Sequence, residues 1–516
     1  MDRRMFLRTA AATWGAGAIA PLLSACGASV PTGTETTPLA APPPGWLTDG
    51  ATDPLPALDP LVHLLRRTRF GFNAQDYADA AKLGIDGYLD DQLSTPSLPN
   101  AVELLATAKY YMTPLPSVAI NSAEFYQQLS DQLSEKTVFL AAYSPRQLFE
   151  VMVDFWSNHF NVDNLEDSLP VHKVYDDREV IRPNAFGKFR DLLHATAKSP
   201  AMLVYLDTVS SHKEHANENY AREMMELHTL GYGGGYTEDD VKNVARCFTG
   251  WNISSSLGFQ FNAGDHDDGE KVVLGHVIPP GGGVSDGETV LDIMAAHPST
   301  ARFVSRKLAR RFVSDNPPDD LVDRLAAVFT ASDGDVPTLL RALFNDSAFT
   351  GSADRKYRRP LEFVAGALRA FDNQPADFDA ATVMNMLSRL GQVPHRWFPP
   401  NGYPDLANYW FSVSGQLERW NYAATVATRR GTLGDAAAPV ASAQGASLAS
   451  ETPAAIVDRL SAALLQRKLR TQDRERLVAA VAGGNPTDQA LTGNAWLAAS
   501  QLVAGLLLAS PYFVLR

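Results

Sequence analysis

Glu223 and Glu226 stand three residues apart in the run Asn217-Glu218-Asn219-Tyr220-Ala221-Arg222-Glu223-Met224-Met225-Glu226-Leu227-His228-Thr229-Leu230-Gly231. On a helix that spacing puts both carboxylates on one face, where they can polarise a single water or converge on a single cation. At about 100° per residue, Asn219, Arg222, Glu223 and Glu226 share one arc while Ala221, Met224, Met225 and Leu227 point elsewhere, so one face is polar and the other packs. His159 and the pair His266-Asp267 supply the remaining donor types of a mixed nitrogen and oxygen site for a divalent metal. The chemistry such a set supports is metal-assisted hydrolysis. Glu223 or Glu226 serves as base or ligand, His159, His266 and Asp267 as ligands, and Arg222 stabilises negative charge on the substrate. Asn158, Asn219 and Trp251 are the candidate substrate-binding residues. The same residue types also suit a structural network in which Arg222 ties helices together through its carboxylates. Both readings stay open at the level of sequence.

Other constellations are weaker. His212-x-x-His215 has ligand spacing but falls in a polar loop. Asp265-His266-Asp267-Asp268-Gly269 lacks the alternation of a calcium loop and its closing glutamate. There is no Gly-x-Ser-x-Gly elbow and no phosphate-binding Gly-x-x-x-x-Gly-Lys-Ser/Thr motif, and Gly281-Gly282-Gly283 after Pro279-Pro280 is turn chemistry. Arg310-Arg311 and Arg358-Arg359 are expected to pair with carboxylates rather than to bind an anion.

The elements that must position these residues read as helices. Gly231 suits the position just past a helix end, and Thr237-Glu238-Asp239-Asp240 resembles a capping box opening a second helix with an apolar stripe of Val241, Val244, Ala245 and Phe248. Helical periodicity dominates from Leu61 onward, including the segments opened by Ser144-Pro145, Phe186 to Ala197 and Ala301 to Val313. Gly71 and Gly84 read as breaks. Gly258 to Gly287, rich in Gly, Asp and Pro, reads as a long loop or small irregular sheet. An Ala/Ser/Gly stretch, 431–453, reads as a low-complexity insertion. The apolar run Leu491 to Leu515 is interrupted by Asn494, Ser500, Gln501 and Pro511 and reads as a core helix rather than a membrane span. The expected fold class is mainly α: one large multi-helix domain, 61–516, with a Gly/Asp/Pro-rich irregular insertion.

Residues 1–25 read as an export signal. Arg3-Arg4 followed by Phe6-Leu7 and an uncharged Ala/Gly-rich stretch resembles a twin-arginine leader, and Leu23-Ser24-Ala25-Cys26 resembles a lipobox, so Cys26 is the expected lipidation site. Residues 26–60, rich in Pro, Thr and Ala, read as a tether. The chain has 516 residues, 45% of them hydrophobic, and carries 45 Lys+Arg against 58 Asp+Glu. Cleavage before Cys26 removes Arg3, Arg4, Arg8 and Asp2, leaving 42 basic against 57 acidic residues, or −15. That balance argues against nucleic acid as a partner and leaves membrane attachment to the acyl chains. Cys247 then stands single, and no disulfide is expected.

His63-Leu64-Leu65 with Arg67 and Phe70-Gly71, Phe155-Trp156-Ser157-Asn158-His159-Phe160, Asn217 through Gly231, Thr249-Gly250-Trp251, His266-Asp267, Arg358-Arg359-Pro360-Leu361, Leu390-Gly391-Gln392 and Pro399-Pro400-Asn401-Gly402 follow one another along the chain. In this order they resemble the bacterial domain of unknown function 1800 family. The resemblance implies export and a largely helical fold, and it supplies no chemistry. Three positions depart from the family pattern: Ser157 where a second histidine often stands, His228 where an aromatic is commoner, and Gly402-Tyr403 for Gly-Trp. Two functions are carried forward. One is an exported, lipid-anchored envelope protein with a metal-assisted hydrolytic or binding cleft, and the other is a non-enzymatic envelope scaffold or partner-binding protein whose Arg/Glu/His network is structural.

Overall fold

The computed structural model of the chain describes residues 55–94, 100–110, 123–165, 169–254, 258–371, 374–428 and 450–516. The expected leader, Cys26, most of the tether and nearly all of 431–453 lie outside the described residues. The described part belongs to one compact unit, Leu47–Arg516.

Its first helix, Pro60–Thr68, starts where Asp59 accepts from the backbone of Leu61 and Val62 at 2.8 and 3.2 Å, with Pro60 pre-set for the first turn. From Leu61 onward every residue of this helix is buried, Arg66 and Arg67 included. A helix buried all round cannot keep its polar face in water, so its guanidinium groups find partners inside. Gln147–His159 is of the same kind, buried apart from Asn158. Around this pair the chain is mainly helical, as its periodicity predicts. Phe189–Ala197 packs on Val284–Ala296, Pro298–Phe312 on Asp319–Ala331, and Val413–Thr428 on Gly493–Ala509.

Gly71 follows the first helix as a contact point as well as a break: a Cβ there would lie 2.5 Å from Gly366 Cα, so two backbones touch. Gly84, with φ of +71°, kinks the Ala74–Leu93 helix. The Gly/Asp/Pro-rich insertion contributes to two antiparallel strand pairs. Trp251–Ile253 pairs with Phe259–Phe261, Trp251 opposite Phe261, and Lys271–Val273 pairs with His276–Ile278, Lys271 opposite Ile278. The second hairpin lies against the Glu238–Cys247 helix. Helix Gly493–Ala509 is a core helix packed on Val413–Thr428 and Pro453–Leu465, and no described helix is long and apolar enough to cross a membrane.

Candidate functional site

The Asn217–Gly231 segment folds in two parts. Asn217 caps Glu218–Glu223 by accepting from Asn219 N, and the chain then widens into a π-helical turn, Met224–His228. Thr229 Oγ1 donates to Met224 O at 2.7 Å and Gly231 N to Met225 O at 3.1 Å, ending the turn. Gly231 is left-handed, with φ of +81°, and packs against the Phe303 ring with no room for a Cβ. Thr237 and Asp240 form the expected capping box. A single widened turn is a common device at working sites, because it re-aims the side chains on either side of it.

Glu223 and Glu226 flank this turn. Glu223 is half-buried and accepts no hydrogen bond among the described residues. Burial first, and then the Glu226 carboxylate, push its carboxyl up to about 7 against the opposing pull of Arg222. Tyr236 hydrogen-bonds Glu226 and is pushed up to about 12, chiefly by burial and by that carboxylate. Tyr232 is 75% exposed, and burial first and then the charges of Glu226 and Glu223 push its hydroxyl up. Arg222 is committed elsewhere: its Nη atoms donate to Glu238 at 2.9 and 2.8 Å and to Glu218 at 3.1 Å, leaving Glu226 at 3.8 Å. These contacts tie this helix to the Glu238–Cys247 helix.

The expected metal ligands are not brought together. Among the described residues no three His, Cys, Asp or Glu side chains converge as ligands. His159 is buried against Phe155, Trp156, Phe160 and Phe189, and its Nε2 donates to His228 O at 2.9 Å. Burial and then Lys307 hold it well below the usual histidine range. His266 donates from Nδ1 to Thr249 O at 2.8 Å, and its Nε2 lies 3.2 Å from Asp286 Oδ2, which Lys271 Nζ reaches at 2.6 Å. Asp267 is taken by Arg246 through two contacts of 2.7 and 3.2 Å. Asp267 therefore clasps the insertion to the Glu238–Cys247 helix through Arg246, while His266 ties it to Thr249 and to Asp286 of the Val284–Ala296 helix. Sequence alone could not distinguish this, because ligands and clasps use the same side chains. His212 pairs with Glu214 at 3.0 Å.

Of the substrate-binding candidates, Trp251 is fully buried between Phe248 and Phe259 and belongs to the core. Asn219 donates to Asp207 Oδ2 at 3.0 Å and fixes a loop. Asn158 receives Tyr403 N at 3.2 Å and donates to Asp154 O at 2.9 Å. Its backbone carbonyl lies against Gly402, whose φ is +70° and which has no space for a Cβ.

Asn158 also lines an internal cavity of about 20 Å³ with Asp154, Ser157, Gln392, His395 and Tyr403. That volume holds a water and excludes a substrate. Ser157 Oγ has no partner there. Sequence reading passed over this cavity, whose walls come from segments more than 200 residues apart with no common spacing. Cys247 is buried and free, and burial pushes its thiol up to about 12, so it is inert.

What the geometry defines is a mainly helical protein whose ion-paired interior supports one half-buried carboxylate pair at a glycine-rich helix corner. The chain belongs to the DUF1800 family: the family model, described as a protein of unknown function, matches residues 63–515. No curated protein and no solved structure matches it.

Proposed function

We propose that this is an exported, lipid-anchored envelope protein whose working site is the Glu223–Glu226 pair, acting as an acid–base centre for hydrolysis. The observation that carries the reading is the Glu223 carboxyl, pushed up to about 7 by burial and by Glu226, without a hydrogen-bond partner among the described residues and close enough to the exposed Tyr232 to act on it. Near neutral pH such a group is available both as acid and as base. Glu223 gives its proton to the leaving group while Glu226 takes one from the attacking water, so the two carboxylates exchange protonation states, and a water relays that proton from Glu226 back to Glu223 before the next turnover. The residues once grouped as metal ligands play structural parts in this scheme.

The scaffold reading is favoured by one observation, the engagement of Arg222 with three carboxylates, which ties two helices without needing a substrate. The two readings separate on turnover. The purified protein is assayed against chromogenic esters, amides and glycosides from pH 5 to 9, beside Glu223→Gln and Glu226→Gln. Hydrolysis lost by about 10²-fold or more in both variants, with wild-type folding retained, supports the acid–base centre. Absence of hydrolysis across the series, or hydrolysis indifferent to both substitutions, leaves the scaffold.

A further inference from the structure

The Arg310-Arg311 and Arg358-Arg359 pairs were expected to satisfy themselves on carboxylates, and the structure grants this only in part. Glu362 lies fully buried at the start of the Pro360–Ala370 helix, and its Oε1 is shared by Arg311, by Arg359 at 3.3 Å and by Arg516 at 2.8 Å. Arg359 also reaches Asp154 at 2.6 Å, while Arg311 stays 3.9 Å from it. Arg67, equally buried, donates to Ser352 O and makes no ion pair among the described residues. Four guanidiniums thus face two carboxylates. Of the neighbouring acids, Asp354 is shared by Arg467 and Arg66, while Asp315 and Asp405 share the single Lys356 and Asp405 also acts on Arg311 and Arg359 from a distance.

The surplus is visible atom by atom. Among the described residues, Arg67 Nε and Nη1, Arg311 Nε and Nη2, and the Nε and Nη1 of Arg516 are buried without a hydrogen-bond partner, while Arg516 Nη2 faces Glu362. Each of these side chains is at most 1% exposed. A buried donor left unpaired costs free energy, and a buried unbalanced charge costs more, so these atoms call for an acceptor that carries negative charge. The electrostatics run the same way. Burial and then the charge of Arg516 push Arg67 well below its ordinary range, and burial pushes Arg516 down to about 10 despite Glu362.

We propose that Arg67, Arg311 and Arg516 hold a small inorganic anion, a halide or a single oxyanion, buried beside Glu362 as a structural counter-charge. Its binding joins the first described helix, the Pro298–Phe312 helix and the last residue of the chain around one ion. The donors are all guanidinium N–H groups, which suit halides and oxyanions alike and offer nothing to a cation. The site is separate from the Glu223–Glu226 pair, so its fate does not depend on the proposed function.

The purified full-length chain is desalted exhaustively into a buffer whose only anion is a bulky organic sulfonate. It is then denatured, and the released ions are measured by ion chromatography. In parallel, Tm is followed against chloride and against phosphate at constant ionic strength, for the wild type and for Arg516→Gln and Arg67→Met. The expected result is about one anion released per chain, or a saturable rise in Tm with chloride or phosphate that is lost in at least one variant. The ion that gives the rise distinguishes halide from oxyanion. A wild type that releases no anion, and whose Tm is the same in sulfonate, chloride and phosphate, overturns the proposal and assigns the unpaired N–H groups to buried water. Because the wild type alone can give that result, a variant that fails to fold does not shield the proposal.

Discussion

Glu223 and His228 show how one local setting tunes two residues in opposite senses. The Glu223 carboxyl rises from 4.5 to about 7, so the folded chain favours its protonated form. The associated stability is complete below about pH 4.5 and is lost as pH rises through 7. Glu223→Gln, a permanent mimic of the neutral form, should therefore be more stable than wild type at pH 8, on the order of 1 kcal/mol after solvent screening, and indistinguishable from it at pH 4. Urea midpoints at the two pH values check this, and an equal effect at both would refute it. His228 falls from 6.5 to about 3 through burial and then the charge of Lys307, so it folds as a neutral ring. That contribution is present above about pH 6.5 and is lost as pH falls towards 3. Its Nε2 has no partner among the described residues, and the bond from His159 goes to its backbone carbonyl, so His228→Phe keeps that contact. The variant should lose less stability than wild type between pH 7 and pH 4, measured by the same midpoints.

At the scale of elements, much of the local order was legible before any coordinates. The capping box at Thr237, the helix end near Gly231 and the helix after Ser144-Pro145 all form as their residue types dictate. What local patterning missed is long-range contact. Gly71 reads as a helix breaker, yet its lack of a side chain is needed because Gly366, almost 300 residues away, touches its backbone. Gly71→Ala should then cost about 1–3 kcal/mol by overpacking, far more than an exposed loop glycine would. A chemical denaturation midpoint within error of wild type would show that the two segments separate freely. The π-helical turn at Met224–His228 was likewise invisible, since its apolar spacing also fits an ordinary helix.

For the whole molecule, attachment and fold are separate problems. With the proposed cleavage before Cys26 the chain would carry −15 and be repelled by anionic headgroups, so the proposal assigns attachment to acyl chains on Cys26. Cys26→Ser should move the protein from the membrane fraction to the soluble envelope fraction, read by fractionation and immunoblot, and retention in the membrane would remove the lipid anchor from the proposal. The helical class, the irregular insertion and the polar face of the Glu223 helix follow from composition and short-range periodicity, because burying an apolar stripe every three or four residues is a local requirement. Which polar residues face water, which face each other and which face nothing is decided by packing between distant segments. His159, His266 and Asp267 share the chemistry of ligands, but the folded chain spends them on a carbonyl, a buried carboxylate and a guanidinium. Glu362 and Arg516 lie more than 150 residues apart, and only the packed core brings a buried carboxylate and an excess of arginines to one point.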